Sequence, residues 1–334
     1  MTFDADDMMG RLRAEFPGAL RCGQVVGYFQ PEVGLSTGRL VAAELLARWE
    51  HPVYGTLQPA LFLPLAGELG LMGELCRLTL RQALAQHRAW AVAGWVVPVS
   101  VNIDPGCVAD PAFPAAVARL LREERVPGRM LALEVSEETG TTVATSGFFA
   151  QLAESGVRVA LDDFGTGFAS LESLGGWPVD ELKLDMSIVR PMVASARFRA
   201  IVASTIDLAH QLGVRVVAEG IESEAVSSEL RALGCDIGQG YFLGRPMPAA
   251  AFTEWMRDAA RLVPRLEGSG YPPLSPPPSE EGPGPAARAA GRTVRAARRA
   301  VQPVGGGALG AAVAMVVVYG LWQVFRWGGR EPRR

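Results

Sequence analysis

Short runs of apolar residues alternate with longer helical patterns along most of the chain. The short runs predict strands at 25–30, 39–48, 96–102, 130–135, 157–162, 181–185 and 215–219, and a short eighth strand near 236–241. The longer patterns predict helices at 59–69, 71–89, 114–124, 146–154, 196–212 and 224–233. Strands that alternate with helices form parallel sheets, so this order predicts an α/β protein with a closed (β/α)8 TIM-like barrel.

The first two predicted strands depart from a regular barrel. Only the turn-like link VGLSTG at 33–38 separates them, which leaves no room for a crossover helix. We therefore expect the first strand to pair with the second as an antiparallel hairpin.

Composition changes sharply after the last helical pattern. A domain at 20–262, preceded by an N-terminal segment at 1–19, is followed by a linker at 263–304 that is rich in Pro, Gly, Ala and Arg. Such a linker is predicted to be disordered. Residues 305–325 carry no charge over 21 positions, and a basic tail follows at 326–334.

The uncharged stretch at 305–325 is long enough to cross a membrane as one helix. The alternatives are an apolar core helix or a disordered Gly/Ala tail. Arginines flank the stretch on both sides in nearly equal number. The small difference between the two sides favours an orientation in which the N-terminal domain faces the cytoplasm. The sequence therefore predicts a single-pass membrane protein with a C-terminal anchor.

Overall composition excludes some classes of function. The formal net charge of −3 gives no reason to expect DNA or RNA as a partner. The four cysteines show neither CxxC spacing nor pairing with the three histidines, which argues against a zinc site. Scattered thiols in a chain of this length are typical of a reducing cytosol.

Nearly every predicted strand ends on a polar residue that can bind a metal ion or a proton. Active sites of (β/α)8 barrels lie where the carboxyl ends of the strands meet, so these side chains are expected to converge on one mouth. A single acidic strand end is usually only a solvated terminus, but a whole set of them is hard to obtain by chance. The set is Glu44, Asn102, Glu134, Asp162, Asp163, Lys183, Asp185, Glu219 and Gln239.

Carboxylate and amide oxygens, without clustered His or Cys, are the ligands that Mg²⁺ or Mn²⁺ prefers. Divalent cations would let the adjacent Asp162 and Asp163 both remain ionised, and two such ions form the usual clamp for cleavage of a phosphate ester. The simpler alternative is a structural ion pair with Lys183, but one lysine cannot balance so many acids. Glu219 or Glu222 is a candidate proton acceptor from the attacking water.

With these residues in place, the sequence resembles the EAL-domain family, the phosphodiesterases of cyclic di-GMP. The resemblance runs from about residue 25 to residue 248. The matching blocks, in order, are YFQPEV, AAELLARWEHP, PALFLPLAGELGL, VPVSVNI, LALEVSEE, ALDDFGTGFASLESL, DELKLDMSIV, VRVVAEGIES and GCDIGQGYFLGRPM. One such block alone is a weak signal, whereas nine in the correct order are specific.

The resemblance implies a role for each matching position, with two metal ions in the site and linear pGpG as the product. A homodimer that forms through the barrel is likewise implied. The implied metal ligands are Glu44, Asn102, Glu134 and Asp162 for the first ion and Asp163 for the second, with Asp162 and Asp185 nearby. Lys183 would contact the hydrolytic water, Glu219 would act as general base, Glu137 would hold the loop at 164–174, and Glu222 and Gln239 would complete the site. Gln30 and Arg48 would contact the dinucleotide, Arg48 through phosphate.

Three small departures from the family pattern occur. Leu45 replaces the central alanine of the signature, but its side chain should face away from Glu44. Gly67 replaces a glutamate that is not a metal ligand, and Ala169 replaces the first serine of the motif that ends the loop.

Two other functions remain open. One is a receptor module that binds cyclic di-GMP without cleaving it, although receptors of this kind usually lack metal ligands that are present here. The other is a sugar-processing barrel with paired carboxylates, which would not explain Asn102, Lys183 and the adjacent aspartates as one set.

Removal of the residues after about 266 should release a soluble domain that keeps its activity, because the predicted anchor lies wholly beyond that point. Membrane fractionation of the full chain and of the truncated chain measures this. A truncated protein that still sediments with membranes would show that the anchor lies elsewhere.

Overall fold

The structure is a computed structural model that describes residues 5–136, 143–165 and 178–258. The predicted linker, apolar stretch and basic tail lie outside these residues. So do Glu137, Ala169 and the part of the predicted loop that follows Gly165.

The described strands are β1 (Val25–Gly34), β2 (Leu40–His51), β3 (Gly55–Leu57), β4 (Val99–Ile103), β5 (Leu131–Ser136), β6 (Arg158–Phe164), β7 (Glu181–Leu184), β8 (Arg215–Ala218), β9 (Ile237–Gly238) and β10 (Met247–Pro248). The described helices are α1 (Ala5–Arg21), α2 (Pro59–Glu68), α3 (Met72–Val92), α4 (Pro105–Ala109), α5 (Phe113–Glu124), α6 (Val143–Glu154), α7 (Met186–Val189), α8 (Ala196–Gln211), α9 (Glu224–Ala232) and α10 (Ala249–Asp258).

Eight of the described strands close into a barrel in the order β1-β9-β8-β7-β6-β5-β4-β2, and β2 pairs with β1 to complete the circle. This confirms the predicted TIM-like barrel. Neighbours from β2 to β9 pair in parallel, whereas β1 is antiparallel to both β2 and β9. The short link between β1 and β2 leaves no other arrangement, and the reversed first strand agrees with the prediction.

Strand register decides which side chains enter the barrel. Glu44 lies opposite Gln30 on β1 and beside Ser100 on β4, and Asn102 lies beside Glu134 on β5. Because side chains alternate between the two faces of a strand, all of these point inward. The end of the barrel at which the parallel strands finish is called the mouth below.

Leu45 lies between two inward-facing positions and therefore points outward. It is buried in the layer between the strands and the helices. A Cβ added at Gly27 would lie 2.6 Å from its Cδ1 atom, so the glycine makes room for the larger side chain.

A second hydrophobic cluster lies beside the main core. Helix α1 contributes Leu12 and Phe16, which pack with Trp49 of β2 and Phe62 of α2. The Phe16 ring is 5.3 Å from the Trp49 ring and 5.7 Å from the Phe62 ring, measured between ring centres. The segment assigned from sequence to 1–19 therefore includes most of a packed helix, which the strand and helix patterns did not reveal.

Within the described residues, no helix is both long and apolar enough to cross a membrane.

Phe16→Ala should lower the free energy of unfolding by about 3–5 kcal/mol, because the ring is fully buried between two aromatic neighbours. Urea unfolding followed by circular dichroism measures the change. Val92→Ala is the matched control, since Val92 is 85% exposed and its truncation should change stability by less than about 0.5 kcal/mol. A loss below about 1 kcal/mol for Phe16→Ala would contradict the packing role of α1.

Candidate active site

The ammonium group of Lys183 lies at the centre of the barrel mouth. Its side chain on β7 is 2% exposed. Among the described residues, four carboxylates lie within 3.9 Å of its Nζ atom. The distances from Nζ are 2.7 Å to Glu134 Oε2, 2.7 Å to Glu219 Oε1, 3.4 Å to Glu44 Oε2 and 3.9 Å to Asp162 Oδ1. Five strands or strand ends thus bring their predicted site residues together around one cation.

Two side-chain amides hold Glu44 in place. Asn102 Nδ2 donates to Glu44 Oε1 at 2.7 Å, and Gln239 Nε2 donates to Glu44 Oε2 at 2.6 Å. Gln239 Nε2 also donates to Gln30 Oε1 at 3.1 Å. The Gln239 side chain is buried, and its Oε1 atom has no hydrogen-bond partner among the described residues. That oxygen keeps a free acceptor position for a ligand.

Burial and charge pull the pKa values at the mouth in opposite directions. Burial opposes the charged form of Lys183, but the surrounding carboxylates raise its pKa well above the usual value. Burial also opposes ionisation of Glu44, yet Lys183 and the two amide donors lower the pKa of that carboxyl below its usual value. The lysine therefore stays charged and Glu44 is its anionic counterpart.

The other two close carboxyls are shifted upward. Burial raises the pKa of Glu134 well above its usual value and raises the pKa of Glu219 to about 8. Lys183 opposes both shifts but does not overcome them. A carboxyl with a pKa near neutrality can accept and release a proton at working pH, which is the property of a general base.

The adjacent aspartates face different ways. Asp163 has a left-handed backbone with φ of 59°, and its amide donates to Asp162 Oδ1 at 2.8 Å. Residues other than glycine seldom adopt this conformation, and aspartate is among those that tolerate it best. The register shift of β6 between Leu161 and Phe164 accompanies this bend. The result is a half-buried Asp162 that faces Lys183 and an exposed Asp163 at the rim.

Three further predicted site residues make their own contacts away from Lys183. Asp185 Oδ1 accepts from the Ser187 amide at 2.8 Å and caps α7, while Glu222 Oε1 lies 2.6 Å from Arg190 Nη2 on the surface. Arg48 is buried beside the mouth, where Nη1 donates to the Ala47 carbonyl at 2.8 Å. Glu222, which the sequence analysis assigned to the site, is therefore held in an ion pair on the surface.

In the described ranges, no group of three or more His, Cys, Asp or Glu side chains is arranged to hold a metal ion. The Lys183 ammonium lies among the acids, and the Asn102 amide presents its nitrogen to Glu44. The donor set is nevertheless of the right chemistry, because it consists of carboxylate and amide oxygens that already converge around a positive charge.

A second polar layer lies deeper in the barrel, and sequence reasoning missed it. Glu32 Oε1 accepts from Ser100 Oγ at 3.0 Å, and burial raises the pKa of Glu32 to about 7. Glu181 accepts from Arg158 and, at 2.5 Å, from Arg215 Nη2. The available signal was a polar residue two positions from a predicted site residue, as with Glu32 after Gln30 and Glu181 before Lys183.

An apolar cavity of about 340 Å³ opens beside the mouth. Its wall includes Leu46 of β2, Leu63 of α2, Met72 of α3 and Ile103 of β4. Asn102 and Asp104 add polar groups to the same wall. The cavity has the character of a small-molecule subsite, with apolar walls and few polar groups.

Comparison with known families matches residues 13–246 to the EAL domain model. The cyclic di-GMP phosphodiesterase RocR of Pseudomonas aeruginosa is 35% identical over 236 residues, which cover 70% of this chain and 60% of RocR. The cyclic di-GMP phosphodiesterase PA2567 of the same organism is 35% identical over 231 residues, covering 69% of this chain and 39% of PA2567. The chain thus spans only part of these curated relatives.

Solved structures resemble the chain as well. The PaMucR phosphodiesterase in complex with c-di-GMP is 35% identical, with a TM-score of 0.69. The alignment covers 72% of this chain and 99% of that one. The EAL enzyme Bd1971, bound to cAMP and cyclic di-GMP, is 25% identical, with a TM-score of 0.71 over 76% of this chain and 70% of that one.

Glu32→Gln should make the protein more stable relative to wild type as pH rises from 5 to 8. The buried carboxyl has a pKa of about 7 when folded, against 4.5 in the unfolded chain, so its stabilising contribution is full at low pH and is lost as pH rises toward and through 7. The neutral amide has no such loss. The expected gain between the two pH values is on the order of 2–3 kcal/mol.

Urea unfolding of both proteins at pH 5 and at pH 8 measures this difference. Glu254→Gln is the control, because Glu254 is exposed and its partner is nearby Arg257. Equal stability differences between variant and wild type at both pH values would contradict the assignment.

Proposed function

Because the chain belongs to the EAL domain family, we propose that it hydrolyses one phosphodiester bond of cyclic di-GMP and releases linear pGpG. The observation that carries the proposal is the ring of carboxylates around Lys183 at the barrel mouth, beside Arg48 and Gln30. The names of RocR and PA2567 support the reaction, and the c-di-GMP complex of PaMucR supports the ligand.

We propose that the reaction uses two divalent metal ions, Mg²⁺ or Mn²⁺. The residues that would hold them are Glu44, Asn102, Glu134, Asp162, Asp163 and Asp185. Bound there, the ions would supply Lewis-acid polarisation of the phosphoryl group and a lowered pKa for water.

Glu219 would take the proton of the attacking water. Its carboxyl has a pKa of about 8 and lies 2.7 Å from Lys183 Nζ, so it can accept a proton while the lysine stabilises the negative charge that develops nearby. Lys183 itself remains charged, because the acids around it raise its pKa. It therefore orients water and phosphate oxygen and does not donate a proton.

Arg48, Gln30 and Gln239 are assigned to substrate binding. The Arg48 guanidinium can bind a phosphate through two parallel hydrogen bonds. Gln239 Oε1, which has no hydrogen-bond partner in the described part of the chain, would accept from the dinucleotide. The apolar cavity beside Asn102 would receive one base.

The proposal extends to the cellular setting. The uncharged stretch at 305–325 would tether the enzyme to a membrane, with the barrel facing the cytoplasm, and two barrels would form a homodimer. The tether is supported by the sequence alone, and the homodimer only by the family resemblance.

Asp163→Asn should abolish turnover and leave the fold intact. Asparagine tolerates the left-handed backbone of this position as well as aspartate does, but it lacks the charge needed to hold a cation. Chromatographic detection of pGpG, with Mg²⁺, with Mn²⁺ and with a chelator, measures the loss. Asp207→Asn on the exposed face of α8 is the control and should keep full activity.

Retained hydrolysis in Asp163→Asn would contradict the two-metal proposal. Wild-type protein that binds cyclic di-GMP tightly but yields no pGpG with either metal would establish the receptor module instead.

A further inference from the structure

We propose that Cys76 and Cys107 form a disulfide bond when the protein meets a hydroperoxide, and that this bond narrows the apolar cavity beside the barrel mouth. The pair is then a site of reversible oxidation on the wall of the candidate active site. The disulfide itself does not depend on the function proposed above. Only its expected effect on cyclic di-GMP rests on that function.

The two sulfur atoms come from neighbouring helices. Cys76 lies on α3 and Cys107 lies on α4, and these helices pack against each other in the layer outside the strands. The two side chains are hydrogen-bonded to each other, and each sulfur also has a hydrogen bond with the Asp104 backbone. Both residues are free thiols in the structure. A bond between them would therefore join two groups that are already in contact.

The shared hydrogen bond makes the two thiols unequal. Cys107 donates it to the Cys76 sulfur, which lowers the pKa of Cys76 below its usual value. The same hydrogen bond, together with burial, raises the pKa of Cys107 above its usual range. Because the thiolate is the reactive form of cysteine, Cys76 is the attacking group and Cys107 is the group that resolves the product.

Access from solvent favours the same assignment. Cys76 forms part of the wall of the cavity of about 340 Å³, and Cys107 is not among the described residues of that wall. A hydroperoxide is small enough to enter a space of this size. The other two cysteines are arranged differently, because Cys22 is exposed and the Cys235 thiol donates to backbone carbonyls in the core.

The oxidation takes place in two steps that together consume one hydroperoxide. The Cys76 thiolate attacks the terminal peroxide oxygen, so that an S–O bond forms and the O–O bond breaks, and the departing oxygen takes up the proton that Cys76 had released. The Cys107 sulfur then attacks the Cys76 sulfenic acid. An S–S bond forms, the S–O bond breaks, and the hydroxyl leaves as water with the proton of the Cys107 thiol.

The bond would change the cavity because both helices contribute to its surroundings. Thr79 of α3 lines the cavity, and so do Asn102 and Asp104, which lead into α4. Two bonded sulfurs lie about 2.0 Å apart, which is closer than a hydrogen-bonded pair. Oxidation therefore draws α4 toward α3 and moves Asp104 with it. The cavity that was assigned to one base of the dinucleotide becomes narrower.

Hydrogen peroxide should link Cys76 to Cys107 in the full chain. Mass spectrometry of a digest made without reductant detects the linked peptides. After removal of the peroxide, kcat/KM for cyclic di-GMP should be about tenfold lower than in the reduced protein, because a small shift of the binding wall misplaces the substrate. Dithiothreitol should restore the original value, since it reduces a disulfide back to two thiols.

Three variants separate the roles of the cysteines. Cys107→Ser keeps the attacking thiol and should stop at a sulfenic acid on Cys76, which dimedone labels. Cys76→Ser should leave Cys107 unlabelled. Cys22→Ser is the control, because it removes the exposed thiol and should keep both the linked peptides and the tenfold effect. The digest of the wild-type protein needs no variant and decides by itself whether the bond forms.

Wild-type protein whose Cys76 and Cys107 remain thiols after peroxide treatment would overturn the proposal, as would a Cys76 that stops at the sulfenic acid. Linked peptides with an unchanged kcat/KM would overturn the effect on the cavity. Labelling of Cys107 in Cys76→Ser would contradict the order of the two steps. Protein that forms the bond but does not cleave cyclic di-GMP when reduced would refute the proposed reaction and still support the disulfide site.

Discussion

A single buried ammonium group controls the charge balance of the barrel mouth. Without Lys183, the carboxylates of Glu44, Glu134 and Glu219 would repel one another in a place that water reaches poorly. Without those acids, the lysine could not be buried with its charge. The acids still outnumber the lysine, and burial raises the pKa of two of them. This surplus of carboxyl groups over cations is the physical basis on which divalent cations would bind, because a bound cation favours the ionised form of a carboxyl.

Charged side chains also lie deeper in the barrel, below the mouth. The interiors of many barrels are filled with branched apolar side chains, whereas here Glu181 is held between Arg158 and Arg215, and Glu32 is bonded to Ser100. Replacing such a layer by apolar residues is often neutral or stabilising, so the layer is not explained by stability alone. Glu32 and Glu181 both interact electrostatically with Lys183, which places them in the same electrostatic system as the acids of the mouth.

The sequence was sufficient to predict the barrel and most of the site for a definite reason. Strand periodicity is strong, and strands that run in parallel must bring their polar ends to one side. The deeper layer was missed because the prediction rested on polar residues at strand ends, whereas Glu32 and Glu181 lie within strands, two positions from Gln30 and Lys183. The left-handed backbone of Asp163 and the pairing of Glu222 with Arg190 depend on tertiary contacts. Helix α1 was not predicted because its apolar face packs against residues of β2 and α2, which only the folded chain brings together.

The reversed direction of β1 changes the mechanics of the barrel. In a regular (β/α)8 barrel, the link from a helix to the next strand lies at the end remote from the active site. Here the link from α1 to β1 lies at the mouth, on the N-terminal side of Gln30, and the Gln24 carbonyl in that link accepts from the Glu50 amide of β2. Helix α1 is therefore joined directly to the mouth end of β1. A displacement of α1 along its axis would be transmitted directly to β1, the strand that carries Tyr28 and Gln30.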